Sequence, residues 1–127
     1  MSGKVVHFEI PVDDRERASA FYSGAFGWNL MSMPDMGYTL ASTGPATESG
    51  SPAEPGHING GIMQRQGPYQ HPIVTIEVDD MQAALRTVAE HGGSQVGDTH
   101  DVGGMGIAGY INDTEGNLIG LWQSVSG

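Results

Sequence analysis

Two side chains near the start of the chain are of types that could transfer a proton. His7 and Glu9 belong to the alternating segment Val6-His7-Phe8-Glu9-Ile10, which is typical of a β-strand. Side chains two residues apart on a strand share one face, so we expect the imidazole and the carboxylate to lie together. The carboxylate would raise the imidazole pKa, and a buried histidine poised near neutral pH can serve as a general base. The alternative is that His7 is a hydrogen-bonded wall residue without a catalytic role.

The composition excludes other kinds of chemistry and partner. The 127 residues include no cysteine, so thiolate metal sites, disulfides and cysteine nucleophiles are excluded. The net charge of −10 repels phosphate backbones and disfavours anionic membrane surfaces. The first residues lack the apolar stretch of a signal peptide, and no apolar run approaches the length of a membrane span. We therefore expect a cytoplasmic protein whose partner is neither a nucleic acid nor a membrane.

The elements that must position this pair occur twice in the chain. Residues 6–18 and residues 72–84 each contain an alternating apolar strand, then Asp-Asp-x-Glu or Asp-Asp-x-Gln, and then a helical pattern. Asp13 and Asp79 occupy equivalent places and are 66 residues apart (79 − 13). This distance is about half of the chain, so each half is predicted to be one copy of the same module.

The acidic residues before each helix have a structural explanation. The side chains of Asp13 and Asp79 can accept hydrogen bonds from the exposed N–H groups of a helix start. Glu16 and Gln82 follow three residues later and can reach back, as in a capping box. This pattern predicts helix caps rather than catalytic carboxylates.

Each predicted helix has an apolar stripe that would pack on a sheet. The helices are predicted over residues 15–25 and 81–91, and both end at glycines, Gly27 and Gly92-Gly93. The inward residues are predicted to be Ala18, Phe21, Tyr22 and Ala25 in the first helix, and Met81, Leu85, Val88 and Ala89 in the second. Further strands are predicted near residues 29–33, 38–42, 58–64, 94–97, 106–112 and 118–124.

Two connecting segments are also marked by composition. Residues 44–56 are rich in proline, glycine and serine, which predicts a long loop that could act as a lid. Residues 66–72 carry glycine and two prolines, which is typical of a linker. We expect this second segment to connect the two modules.

Taken in order, a set of motifs resembles the vicinal-oxygen-chelate superfamily, which includes glyoxalase I, bleomycin-resistance proteins and extradiol dioxygenases. The set comprises His7, Asp14, Phe21-Tyr22, Phe26-Gly27-Trp28, Asn59-Gly60-Gly61-Ile62, Val78-Asp79-Asp80, His91-Gly92-Gly93 and Asp113-Thr114-Glu115-Gly116-Asn117-Leu118-Ile119. The resemblance is to a glyoxalase-related branch whose members mostly lack an assigned reaction. It implies a single α+β domain of two tandem βαβββ modules, residues 1–66 and 67–127. Their eight strands would curl into a cup, with the helices outside.

Metal-dependent members of the superfamily hold a divalent ion with four imidazole or carboxylate ligands at the floor of the cup. Carried over one by one, these positions fall on His7, Gly61, Ile73 and Gly120. Only the first of them offers a ligand atom, and a single imidazole does not hold a divalent ion at useful affinity. The resemblance therefore implies no metal at the family site, and we expect no cofactor. An atypical metal site is the alternative, built from His57, His71 and Glu9.

Strand alternation predicts which side chains would line the cup of the implied fold. The residues expected to face the helices are Phe8, Ile10, Val12, Val74, Ile76, Val78, Ile119 and Leu121. The predicted ligand contacts are Thr75, Glu77, Met63, Met105, Trp122 and Arg65. Tryptophan and methionine offer broad, adaptable apolar contact, and Arg65 is the candidate anion contact at the rim. Tyr38 is predicted to be a wall or rim residue.

Three functions remain open at this point. The first is a metal-independent protein that binds a small apolar or aromatic molecule in the cup, in the manner of the bleomycin-resistance proteins. The second is an enzyme, either a lyase or isomerase of glyoxalase type or a dioxygenase-like protein, using His7 with Glu9 or an atypical metal site. The third is an interaction or regulatory module with a vestigial cup. Many relatives form dimers, so a homodimer is also left open.

Overall fold

The computed structural model describes residues 3–47 and 51–125. The chain divides into two compact units. The first unit is His7–Pro72, and the second unit joins Met1–Val6 to Ile73–Gly127. Within the described residues, each unit contains one α-helix.

The elements repeat in the same order in the two halves of the chain. They are β1 (Val5–Val12), α1 (Arg15–Phe26), β2 (Asn29–Met33), a short 3-10 turn (Pro34–Met36), β3 (Tyr38–Ser42), β4 (Asn59–Gln64), β5 (Ile73–Glu77), α2 (Met81–Glu90), β6 (Ser94–Val102), β7 (Gly106–Asn112) and β8 (Leu118–Ser124). The strands form an open, mixed, eight-stranded sheet in the order β2-β3-β4-β1-β5-β8-β7-β6. β1 pairs parallel with β4 and β5 pairs parallel with β8, whereas β3 pairs antiparallel with β2 and β4, and β7 pairs antiparallel with β6 and β8. This duplication confirms the predicted α+β fold of tandem βαβββ modules.

Each helix begins at the second aspartate of its Asp-Asp pair. The Asp14 carboxylate accepts a hydrogen bond from the N–H of Arg17, and Asp80 accepts one from Ala83, each at 3.0 Å. Both aspartates have extended backbone conformations, with φ of −138° and −144°, as helix caps do. The prediction that the caps are Asp13 and Asp79 is therefore wrong by one residue.

The predicted capping boxes are absent for the same reason. A box needs Glu or Gln at the third helical position, and that position holds Arg17 in α1 and Ala83 in α2. Glu16 and Gln82 stand at the second position instead. The predicted end of α1 is confirmed, because Gly27 closes the helix in a left-handed conformation with φ of 76°.

Helix α2 packs on the sheet of the second unit through an apolar cluster. The buried members are Met81, Leu85, Ile111 and Leu121, and Ile76, Val78, Ala84, Val88, Ile107 and Ile119 pack against them. The predicted helix-facing side chains of β5 and β8 belong to this cluster, with one exception, Val74, which is exposed. Ala89 is also exposed, because Ala84 and not Ala89 lies on the face of α2 that contains Met81 and Leu85.

Helix α1 is less deeply packed than α2, although the two helices are equivalent in the repeat. None of its residues is buried, and Phe21 is 58 % exposed. The predicted stripe is therefore wrong for Phe21 and Ala25, whereas Ala18 and Tyr22 are half-buried. The ring of Tyr22 stacks on that of Trp28, with centroids 4.7 Å apart. The aromatic residues at this end of α1 thus pack mainly on one another.

Two connecting regions differ in detail from the prediction. β6 runs on to Val102, past an irregularity in its pairing with β7 between Val96 and His100. In the loop predicted over residues 44–56, Ala46 and Pro52 form an antiparallel bridge, whereas residues 48–50 lie outside the described residues. The lid therefore stays a prediction. No described helix combines the length with the apolar character that crossing a bilayer would require.

Candidate functional site

One face of the first unit carries a hydrogen-bonded line of three side chains. The Tyr38 hydroxyl donates to Glu9 Oε2 at 2.9 Å, and His7 Nε2 lies 2.9 Å from the same hydroxyl oxygen. Because the phenol proton is directed to the carboxylate, the phenol oxygen accepts from the Nε2–H of His7. His7 and Glu9 therefore share a face of β1, as predicted, and Tyr38 joins them. We call these three residues the His7–Tyr38–Glu9 cluster.

A glycine on the intervening strand allows Tyr38 to reach β1. β4 lies between β3 and β1, and its Gly61 is paired with Glu9 on one side and with Leu40 on the other. A Cβ atom on Gly61 would overlap the ring and hydroxyl of Tyr38. The ring therefore crosses the strand directly over Gly61, and no other residue type leaves that space open.

The imidazole of His7 is held neutral. Burial lowers the pKa of His7 below its ordinary value of 6.5, and the nearby Glu9 carboxylate only partly opposes this. The interaction with Glu9 does raise the His7 pKa, as predicted. The prediction of a net rise is wrong, because the effect of burial is larger. At pH 7 the neutral ring carries its proton on Nε2, toward Tyr38, which leaves the lone pair on Nδ1.

The negative field of Glu9 also reaches a second phenol. Burial raises the pKa of Tyr69, and the Glu9 carboxylate raises it further. Glu9 itself is only 8 % exposed. Tyr69 therefore stays protonated at neutral pH, and its phenol lies within the electrostatic reach of the buried Glu9 carboxylate.

Apolar side chains flank the cluster on the same face of the first unit. Met33 and Met63 stand opposite Tyr38 on its two neighbouring strands, and Met31 stands opposite Leu40. Directly opposite residues project to one face of a sheet, so these methionines belong to the same face as the cluster. This places the predicted ligand contact Met63 on the cluster's face. Such flexible, polarisable side chains suit contact with an apolar or aromatic molecule.

The side chains at the family metal positions do not fit a divalent ion. In the first unit, His7 supplies one nitrogen, and the space at Gly61 is filled by the ring of Tyr38. In the second unit, Ile73 is 2 % exposed and has no ligand atom, and Gly120 lies against the hydroxyl of Thr75. Divalent transition metals need three or four imidazole, carboxylate or thiolate ligands, and these positions offer one.

The atypical metal site also lacks a converging set of ligands. His57 Nε2 is 3.1 Å from the carbonyl oxygen of Pro45, and His71 is exposed. Within residues 3–47 and 51–125, no group of three or more His, Asp or Glu side chains is placed to hold an ion.

Three of the predicted ligand contacts share one face of the second unit. Thr75 is paired with Gly120, and Glu77 is paired with Trp122, on the parallel strands β5 and β8. Trp122 Nε1 donates to the Ser124 hydroxyl at 3.1 Å, at the exposed end of β8. Another predicted contact, Met105, is 57 % exposed in the turn after β6.

The predicted anion contact Arg65 is already engaged in an ion pair. Its guanidinium donates to the Asp13 carboxylate at 2.8 Å, and its Nε donates to the Gln70 carbonyl. Both partners of the ion pair are well exposed, so the pair contributes little to stability. Arg65 lines an open hollow of about 400 Å³ beside the start of α1, and not the face of the cluster.

Sequence reasoning missed the central role of Tyr38 and the position of Tyr69. The sequence predicts Tyr38 only as a wall or rim residue, because nothing in its local pattern shows that its ring crosses a neighbouring strand. The available signal was the pair Gly60-Gly61 inside a predicted strand, since glycine in a strand interior often marks a close approach by another group.

Two comparisons with known protein sequences agree with this architecture. A family model described as bleomycin resistance protein-like N-terminal matches residues 4–44. A glyoxylase-like domain-containing protein of Didymella fabae is 33 % identical over 122 residues, which cover 92 % of this chain and 91 % of that protein. The putative glyoxylase CFP32 of Mycobacterium tuberculosis is 30 % identical over 123 residues, and the match covers 91 % of this chain but only 44 % of CFP32.

A solved structure shows the same fold. The methylmalonyl-CoA epimerase of Streptomyces coelicolor, in complex with 2-nitronate-propionyl-CoA, superposes with a TM-score of 0.66 at 14 % identity, over 99 % of this chain and all of that one. The sequence relatives and the fold together define a protein of the vicinal-oxygen-chelate class. They show that this chain belongs to the glyoxalase and bleomycin-resistance-like family of that superfamily.

Proposed function

We propose that this protein binds a small apolar or aromatic molecule without a resident metal, and that the polar end of the ligand meets the His7–Tyr38–Glu9 cluster. The observation that carries the proposal is the position of the Tyr38 hydroxyl, 2.9 Å from both His7 Nε2 and Glu9 Oε2. A hydrogen-bonded side chain occupies the place where the family has a metal ligand. Recognition by fixed polar groups thereby replaces recognition by an ion.

The surroundings of the cluster support a ligand that is mostly apolar. Met33, Met63 and Leu40 belong to the same face of the first unit as the cluster. Small-molecule sites typically combine an apolar lining with a few placed polar groups that fix orientation. Glu9 contributes negative charge, so the polar end is proposed to be a hydrogen-bond donor or a cation.

The test compares ligands and metals on one preparation. A library of small aromatic compounds, with and without an amine, is screened by thermal shift against the wild type and the Tyr38→Phe variant. A ligand at 100 times its Kd raises stability by about 2.7 kcal/mol, and we expect amine-bearing hits whose effect is weaker in the variant. Wild-type protein treated with EDTA and then given Zn²⁺ or Ni²⁺ should show no metal-dependent stabilisation.

Two results would overturn the proposal. One is stoichiometric metal that survives purification without chelator and stabilises the fold, since this would restore the metal-dependent alternative. The other is a library in which no compound stabilises the wild type, which would favour the interaction module. Tyr22→Phe serves as a matched control, because it also removes one phenol hydroxyl, from a ring on α1 that stacks on Trp28.

The neutral state of His7 favours a second candidate function, proton transfer. The lowered pKa of His7 keeps the ring in the form that accepts a proton, and Tyr38 and Glu9 hold its other nitrogen as a donor. An enzyme of lyase or isomerase type would use Nδ1 as its base. The test incubates carbonyl-containing hits in D₂O and follows exchange of the proton next to the carbonyl by NMR. Exchange that persists unchanged in His7→Gln would exclude this candidate.

A further inference from the structure

The opposite face of the first unit contains a polar hollow at a place where the second unit has an apolar core. The hollow has a volume of about 310 Å³ and lies between the start of α1 and strands β2 and β3. Its lining residues are Arg15, Glu16, Ser19, Leu30, Ser32 and Thr39. Ser32 is paired with Thr39, and the neighbour Tyr38 projects to the other face. The hollow is therefore separated from the His7–Tyr38–Glu9 cluster by the thickness of the sheet.

The repeat shows that polar residues replace core residues here. The caps Asp14 and Asp80 are 66 residues apart (80 − 14), so Arg15 corresponds to Met81 and Ser19 to Leu85. In the second unit those two apolar side chains are buried against the sheet. In the first unit a guanidinium and a hydroxyl stand at the same places, and both are only half-buried.

The polar groups of the hollow come from three elements and converge. Thr39 on β3 is only 3 % exposed, and its hydroxyl accepts a long hydrogen bond of 3.4 Å from Arg15 on α1. Ser32 on β2 adds a hydroxyl, and Glu16 adds a carboxylate one residue after the guanidinium. Thr39 is buried and Arg15 and Ser19 are half-buried, whereas Glu16 and Ser32 are exposed, so the hollow offers a ligand both buried and accessible polar groups. A polar lining also favours a polar occupant over an apolar one.

We propose that this hollow binds a small zwitterion, a molecule with one carboxylate and one ammonium group. The guanidinium of Arg15 and the hydroxyls of Thr39 and Ser32 suit a carboxylate, and Glu16 suits an ammonium group. A simple anion would be opposed by Glu16 and by the net charge of −10, whereas a zwitterion carries no net charge into that field. The volume is at the small end for ligand sites, which matches a molecule of amino-acid size.

The experiment titrates ¹⁵N-labelled protein with glycine, L-alanine and L-serine and follows amide resonances by NMR. Acetate and methylammonium, which carry one charge each, are the matched probes. We expect saturable shifts at Ser19, Ser32 and Thr39 with at least one amino acid, and much weaker binding of both single-charge probes. Arg15→Gln and Glu16→Gln should each weaken the amino-acid affinity about tenfold, as expected for loss of one charged hydrogen bond.

Several controls make the outcome decisive. Arg17→Gln removes a cation from the same helix, but Arg17 lines the hollow that contains Arg65. The affinity of the Arg17→Gln variant for amino acids should therefore match that of the wild type. Thr39→Val keeps the shape of the buried side chain and removes its hydroxyl. If Arg15→Gln does not fold, the Glu16→Gln variant, whose substitution is exposed, provides the test.

The proposal is overturned if no amino acid gives saturable shifts, if acetate binds as well as the amino acids, or if Arg15→Gln or Glu16→Gln leaves the affinity unchanged. Loss of ligand binding at the His7–Tyr38–Glu9 cluster would not change amino-acid binding in the hollow. The two proposals can therefore be tested, and can fail, independently.

Discussion

The phenol ring of Tyr38 occupies the space above Gly61 that a side chain at that position would fill. The glycine creates room for the residue that bridges His7 and Glu9. This relationship predicts strong coupling between the two positions.

We first predict that Gly61→Ala destabilises the fold by about 1–3 kcal/mol, the range for overpacking a well-packed site. The added methyl group collides with the ring and hydroxyl of Tyr38, so the ring must move and its two hydrogen bonds are lost. The free energy of unfolding is measured by urea denaturation.

A double-mutant cycle separates this cause from a general intolerance of alanine in β4. In a Tyr38→Ala background the space above Gly61 is vacant, so adding Gly61→Ala should cost much less than in the wild type. A coupling energy near zero would show that the ring does not lie over Gly61. Gly97→Ala, at a glycine with positive φ and open surroundings, measures backbone strain without a side-chain collision.

The second prediction concerns pH. The pKa of His7 in the folded protein lies below its ordinary value of 6.5. As the pH falls through 6.5, the unfolded chain therefore takes up a proton that the folded protein does not. The unfolded state binds more protons in this range, so the free energy of unfolding decreases as the pH falls. His7→Gln should remove this contribution and flatten the decline between about pH 7.5 and pH 5.5.

The measurement is a series of urea denaturation curves across that range for the wild type, His7→Gln and His71→Gln. His71 is exposed and lies in the same unit, so it controls for the removal of a histidine as such. A His7→Gln profile as steep as that of the wild type would contradict the prediction.

The third prediction tests the shifted helix caps. Asp14→Ala and Asp80→Ala should each lower the free energy of unfolding by about 1 kcal/mol, because each removes an acceptor from the first turn of a helix. Asp79→Ala should change stability by less than about 0.5 kcal/mol, as a surface substitution away from a cap. Asp13→Ala loses only the exposed ion pair with Arg65, which is worth about 0–1 kcal/mol. A larger loss at Asp13 than at Asp14 would restore the original capping prediction.

The sequence predicts much of the fold because its signals are local and occur twice. Alternating strands, the Asp-Asp step before each helix and the glycine at the end of α1 each follow from a few neighbouring residues. Strands 29–33, 38–42, 106–112 and 118–124 have the predicted bounds. The cap lies one residue later than predicted because adjacent aspartates are equivalent in composition. The extended backbone at Asp14 places its carboxylate to accept a hydrogen bond from the N–H of Arg17.

Only part of the candidate site could be predicted from the sequence. His7 and Glu9 share a face because strand alternation is a local rule. Tyr38 lies 29 residues beyond Glu9 along the chain, and its contact depends on strand order and register that no local pattern encodes. The net direction of the His7 pKa was also hidden, because burial is a property of the folded protein and outweighs the visible charge of Glu9.

The fourth prediction follows from the unequal packing of the two helices. Leu85→Ala should cost about 2–5 kcal/mol, because Leu85 is buried in the apolar cluster beneath α2 and its removal leaves a cavity. Phe21→Ala removes a larger side chain from the equivalent helix but should cost less than about 1.5 kcal/mol. Phe21 is 58 % exposed, and the contacts it would lose are edge-to-face pairs with Tyr22 and Phe26. Urea denaturation of both variants gives the comparison. If Phe21→Ala proves as costly as Leu85→Ala, then α1 is buried in the protein in solution, and a second copy of the chain covering this helix becomes the explanation to test by light scattering.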